Sequence, residues 1–189
     1  MSVTADPVRQ LPDGWAAPLI ATTFLAALCC IALLWFGMSN GSFLGFMAAI
    51  FVLGLAAIGW LVPALVAMLY YRTFMLGLIA PAIVAITFAL LHTDIPRSVG
   101  WALSEGSLER AEVRCTDTGL IGVYLVTHAS RRAAGCHFYT DGGFMDSVGI
   151  AHLPNGVPAD AVAEGGPIRD GQYGYWHING PWYRFSQAF

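Results

Sequence analysis

Residues 43–93 read FLGFMAAIFVLGLAAIGWLVPALVAMLYYRTFMLGLIAPAIVAITFALLHT, and the one charged side chain among them is Arg72. Working outward, the uncharged run extends back to Gly14, so Arg72 alone interrupts residues 14–93. In water such a stretch would expose far more apolar surface than a soluble chain tolerates. A bilayer accommodates it, because each helix needs about 20 apolar residues to cross the hydrocarbon core.

The remainder is of a different kind. Residues 1–92 carry four charged side chains, Asp6, Arg9, Asp13 and Arg72, whereas residues 93–189 have the charge mixture of a small soluble domain. The organisation expected is an N-terminal tail (1–16), a transmembrane region (17–92) and a soluble domain (93–189). All nine basic residues are Arg and none is Lys, a pattern that fits a high-GC bacterial genome. A net charge of −3 with a single basic pair, Arg131-Arg132, gives no nucleic-acid surface.

Three spans are expected, over 17–38, 43–71 and 74–92. The first is too long for a signal-peptide core and no small-residue cleavage site follows it, which makes it a retained helix. Met38-Ser39-Asn40-Gly41-Ser42 reads as a turn between antiparallel helices. Pro63 and Pro81 are expected to bend the second and third spans. A single span over 61–92 would put Arg72 near the bilayer centre at a cost of at least ~2.5 kcal/mol. A turn at Arg72, flanked by Tyr70 and Tyr71 at headgroup depth, avoids that cost. Arg9 and Arg72 then share the cytoplasmic side and the uncharged first turn lies opposite, with Arg97 a mild counterweight. The expected location is the bacterial plasma membrane, multi-pass, with the N-terminus cytoplasmic and the C-terminal domain extracytoplasmic.

That domain is expected to be a small α+β unit with an antiparallel β-meander. Ser107 would cap a helix over 108–114 whose Leu108, Ala111 and Cys115 share one face. Strands are expected at 120–127 (LIGVYLVT), 136–140 and 148–153, with a loop of little structure over 154–171. Asn179-Gly180 marks a final hairpin with a type I′ turn, pairing His177 with Trp182 and Trp176 with Tyr183. For Cys115 and Cys136 two readings stand. One is a disulfide in an oxidising compartment, worth about 3 kcal/mol in the chain-entropy model; the other is two free thiols.

The turn arginine after the second span, DIPRSVGWALSEGSLERA, GLIGVYLV, GGFMDSVGIAHLPNG and the closing GPWYRF together resemble a family of uncharacterised three-span membrane proteins from actinomycete-type, high-GC bacteria. The resemblance covers roughly residues 70–189. It implies membrane residence, carries over no activity, and does not extend to the cysteine pair.

No catalytic or cofactor signature emerges. His128, His137, His152 and His177 show no metal-ligand spacing, and alternation sets His137 on the face opposite Cys136. Asp146, Ser147 and His152 lack the strand–elbow–helix context of a hydrolase. Gly142-Gly143 and Gly165-Gly166 lack the lysine and helix of a phosphate loop. Cys29-Cys30 read as small apolar residues, and His92 with Asp94 as the boundary of the third span. Gly41-x-x-x-Gly45 and the Gly54, Ala57, Gly59 stripe allow helices to approach closely, within this bundle, in a homo-oligomer or with another membrane protein. The spans carry no ionisable group of the kind ion-coupled transporters use. The expectation is therefore a non-enzymatic accessory or binding module that needs no cofactor or metal. Its partners are the lipid bilayer and another membrane or envelope component. Tyr173, Tyr175, Trp176, Trp182 and Tyr183 are the contact candidates, unless those rings fill the core. An extracytoplasmic metal-binding protein or envelope enzyme, and a small homo-oligomeric channel, are the alternatives.

Overall fold

A computed structural model describes residues 13–70, 74–143, 146–159, 161–162 and 166–188. The tail before Asp13, the second turn at Tyr71 and Arg72, and parts of the loop over 154–171 lie outside the described residues.

Three apolar helices come first: α1 (Asp13–Ser39), α2 (Phe43–Tyr70) and α3 (Phe74–Leu91). Each remains one helix through its internal proline, Pro18, Pro63 or Pro81. Helix is the form that satisfies every backbone polar group without water. Hydroxyls inside the helices follow the same rule, Thr22, Thr23 and Thr87 donating to carbonyls four residues back. Among the described residues two helical stretches, Ala17–Ser39 and Phe43–Val66, are long and apolar enough to cross a membrane. A third span arises if α3 and the helix after it, bent by 68° from one another, count as one.

The chain forms two compact units. The first takes α1 as far as Leu33 together with Ala48–His92. Its buried positions are mostly small, including Ala26, Cys29, Cys30, Ala56, Ala64 and Ala80, while Ile20, Phe24, Phe51 and Ile58 point outward. Gly59 approaches Thr22, and nothing lies within contact distance of Gly54.

The second unit takes Leu34–Met47, the turn between α1 and α2, together with everything from Thr93. Asn40 ends α1 at φ 48°, a conformation asparagine adopts more readily than most residues. Phe36 lies against Gly41 and Gly45, so the G-x-x-x-G pair accommodates a ring of its own hairpin.

Helix α4 runs over Ile95–Glu112, with Pro96 in its first turn. It is longer than the expected 108–114 because a proline at that position needs no N–H partner, and Ser107 is internal. Gly100 faces the Met38 carbonyl with no room for a Cβ. Leu108 and Ala111 are buried as expected; Cys115 is buried too, but it lies past the end of α4 at φ 54° and not on the helix face.

Six antiparallel strands follow: β1 (Gly119–Ile121), β2 (Tyr124–Arg132), β3 (Gly135–Thr140), β4 (Ser147–His152), β5 (Tyr173–Asn179) and β6 (Trp182–Gln187). Three expectations need correction here. Residues 120–127 are a hairpin and not one strand, because Gly122 at φ +63° turns the chain between β1 and β2. The order β1-β2-β3-β4-β6-β5 is not a meander, since β6 lies between β4 and β5. Strand β6 buries Trp182 on one face and Phe185 on the other, as an inner strand must, whereas β5 ends in exposed His177 and Asn179. The last hairpin turns at Gly180-Pro181, pairing Asn179 with Trp182, His177 with Tyr183 and Trp176 with Arg184. Glycine at the first central position, here at φ +52°, suits that turn, and a bulge at Ile178 absorbs the odd residue.

One sheet face packs on α4 through Trp101, Leu108, Val126, Phe138, Ile150 and Trp182. Cys115 and Cys136 are joined in a disulfide, Cα atoms 5.8 Å apart, tying the end of α4 to β3. The opposite face gathers Tyr139, Ala151, Leu153, Tyr173, Tyr175, Tyr183 and Phe185.

Candidate functional site

The face turned away from α4 holds the densest polar chemistry in the domain. It begins with two small residues on β4. Gly149 pairs with Tyr139 on β3 and Phe185 on β6, and Ala151 pairs with His137 and Tyr183. A Cβ at Gly149 would collide with the Phe138 carbonyl and come within 2.9 Å of Phe185. Small side chains on β4 leave a trough over which rings from neighbouring strands close. Tyr139 and Phe185 meet edge to face with centroids 5.0 Å apart.

His137 lies in this trough with no solvent exposure. Its Nε2 is 2.9 Å from Tyr175 Oη, one proton serving both, and its Nδ1 makes no hydrogen bond. Burial, and secondarily the charge of Arg132, lower its pKa to about 4, with the Gly135 carbonyl acting in the opposite direction. The imidazole is therefore neutral at physiological pH. Beside it runs a chain of donors with a defined direction. Arg132 Nη2 donates to Tyr139 Oη at 3.1 Å, and Tyr139 Oη lies 3.3 Å from Tyr173 Oη. Tyr173 Oη in turn donates to Gln187 Oε1 at 2.6 Å. The Arg132 guanidinium also sits 4.9 Å from the centroid of the Tyr173 ring. Burial first, then the hydrogen bond with Tyr139, raise the Tyr173 pKa.

These groups border a cavity of about 440 Å³ whose wall includes Arg132, His137, Ala161, Gln172, Tyr173 and Tyr175. Among the described residues no carboxylate pairs with Arg132. A protonated phenol and a neutral imidazole of low basicity make a poor nucleophile and a poor base at pH 7. Their arrangement suits donation and acceptance of hydrogen bonds to a bound group.

The five contact candidates do not share a surface. Tyr173, Tyr175 and Tyr183 belong to the cavity face, whereas Trp182 packs on α4 and Trp176 lines a cleft on that same side. Tyr175 and Trp182 are buried, and the other three are half-buried. The histidines are equally dispersed. His128 lies against Tyr139, His152 stands 3.2 Å from Glu112 and against Trp182, and His177 contacts the Gly180 carbonyl. No group of three or more potential metal ligands occurs among the described residues. Ser147 and His152 stand at opposite ends of β4, about 17 Å apart at strand rise, too far for a catalytic pair.

Arg132, Tyr139 and Gln187 were not singled out from sequence. Two i, i+2 aromatic pairs, His137 with Tyr139 and Tyr173 with Tyr175, were the available signal, since alternate strand residues share a face. Compared with models of known protein families, with curated proteins and with solved structures, the chain finds no match.

Proposed function

We propose that this chain is a three-span protein of the bacterial plasma membrane whose sheet domain, held outside the cytoplasm, is a non-enzymatic binding module for another envelope component. The cavity carries this reading. It presents one cation that has no carboxylate partner among the described residues, a file of phenol hydroxyls and apolar ring surface, all held in place by a paired sheet. The occupant that complements it is a protein segment bearing a carboxylate, which would pair with Arg132 while its apolar part lies on Tyr173 and Tyr175. The neutral states of His137 and Tyr173 favour binding over catalysis. Membrane residence is supported by two helices of spanning length with large apolar side chains pointing outward. An outer location is supported by the disulfide, which persists in oxidising compartments.

The test is a photo-crosslinking amino acid placed at Gln172 or Ala133, on the cavity wall, in the full chain expressed in a bacterial host that carries it. A discrete protein adduct is expected, and Arg132→Gln should abolish it without reducing the amount of the chain. No adduct from either position, or an adduct indifferent to Arg132, would overturn the assignment.

A further inference from the structure

On the α4 side of the sheet a second cleft of about 440 Å³ opens between the start of α4 and the last hairpin, lined by Asp94, Arg97, Trp101, Trp176 and Arg184 among others. A neighbouring cavity of about 300 Å³ shares Arg97, Trp176 and Arg184 and adds Asn40. We propose that this cleft binds the phosphate of an anionic lipid headgroup.

Its place in the chain is the first argument. Arg97 lies six positions beyond Leu91, the last residue of α3, and Asn40 directly follows Ser39, the last residue of α1. With α1 and α3 as spans, both approaches to the cleft begin where an apolar helix leaves the bilayer. That step rests on the three-span reading and is independent of the tyrosine cavity. Trp176, half-buried at the cleft, is of the residue type that settles at headgroup depth.

Charge is the second argument. Two guanidinium groups face one carboxylate. Asp94 pairs with Arg97 at 3.4 Å on the surface, and no described carboxylate is within ion-pairing distance of Arg184. Burial lowers the Arg184 pKa, and the positive charge of Arg97 lowers it further against Tyr124 and Asp94. A half-buried cation that is repelled by its neighbour, and that among the described residues has no carboxylate within ion-pairing distance, is suited to an incoming anion. Phosphate oxygens supply acceptors for both arginines, and a lipid brings its phosphate already tethered to the membrane.

The full chain, purified in a neutral detergent, is titrated with short-chain phosphatidylglycerol, short-chain phosphatidylcholine and inorganic phosphate, with binding read by native mass spectrometry. Saturable binding of phosphatidylglycerol in preference to phosphatidylcholine is expected, weakened about fivefold for each arginine removed by Arg97→Gln and Arg184→Gln. Arg97 is exposed, so the single Arg97→Gln chain keeps the test valid if Arg184→Gln fails to fold. Arg169→Gln, remote from the cleft, should leave binding unchanged. Equal affinity for the two lipids, or inorganic phosphate binding as well as phosphatidylglycerol, would overturn the proposal. The span reading is tested separately by a fluorophore on Ser98→Cys in nanodiscs, quenched by headgroup-depth nitroxide lipids. Quenching at headgroup depth without anionic preference defeats this proposal alone; absence of quenching defeats the span reading on which it rests.

Discussion

The imidazole of His137 is sealed from solvent, and its pKa of about 4 means that the folded chain holds fewer protons there than the unfolded chain, whose histidine titrates near 6.5. Where the unfolded state binds more protons, stability rises with pH. This group therefore imposes no penalty above pH 6.5, an increasing one as pH falls toward 4, and a limit of about 3 kcal/mol below that. Chemical unfolding of the full chain in mild detergent, followed by near-ultraviolet circular dichroism, should show that loss, and His137→Asn should flatten it between pH 6.5 and 4. Parallel pH profiles for the two chains would place the sensitivity elsewhere. The cysteine pair makes a second residue-scale prediction. Cys115 sits at φ 54°, just past α4, bonded to Cys136 across 21 residues. Reduction, or Cys136→Ala, should lower stability by about 3 kcal/mol. At this scale the sequence was informative about which residues point inward. It turned Cys115 inward, although that residue lies just past α4 and not within it, and set His137 opposite Cys136. The partners of His137 were hidden, because Tyr175 is 38 residues away and only the pairing of β3, β4, β6 and β5 brings it near.

At the scale of elements, the apolar helices were legible nearly to the residue, because an uncharged run bounded by polar turns has few competing interpretations. The sheet was harder to read. Residues 120–127 are as rich in β-branched and aromatic residues as one buried strand would be, yet Gly122 turns there, where Ser104 on α4 accepts the Val123 N–H at 2.9 Å and fixes the turn from outside the strand. Strand order was equally non-local, depending on β6 having apolar residues for both faces. Strand β4 shows what such placement demands. Gly149→Ala would drive a methyl into the Phe138 carbonyl and the Phe185 ring, costing about 1–3 kcal/mol as overpacking does. In α4, nothing lies within contact distance of a Cβ at Gly106. Gly106→Ala should therefore stabilise the chain by about 0.5–1 kcal/mol, the helix preference for alanine over glycine. Unfolding midpoints of the two variants should move in opposite directions. Equal shifts would mean that β4 relaxes to admit the methyl.

Across the whole molecule, the turn between α1 and α2 belongs to the same compact unit as the sheet domain, with Met38 against Gly100 and Asn40 against Gly142. This bears on the number of crossings. If α1 and α2 both traverse the bilayer, the end of α2 lies on the opposite side from that turn, and the domain lies on the turn's side. The chain between them must then cross once more, and α3 is the apolar helix available to do so. The argument from parity is independent of the arginine count that sets orientation, which relies on Arg9 and Arg72 outside the described residues. Single cysteines at Asn40 and Ser98, each introduced into the full chain, should react alike with a membrane-impermeant maleimide on intact spheroplasts. A cysteine at Ser2 should react only after lysis. If Asn40→Cys and Ser98→Cys label from opposite sides, α3 does not cross. If both label only after lysis while Ser2→Cys labels on intact cells, the three crossings stand with the orientation reversed, and a cavity open to the envelope gives way to one open to the cytoplasm.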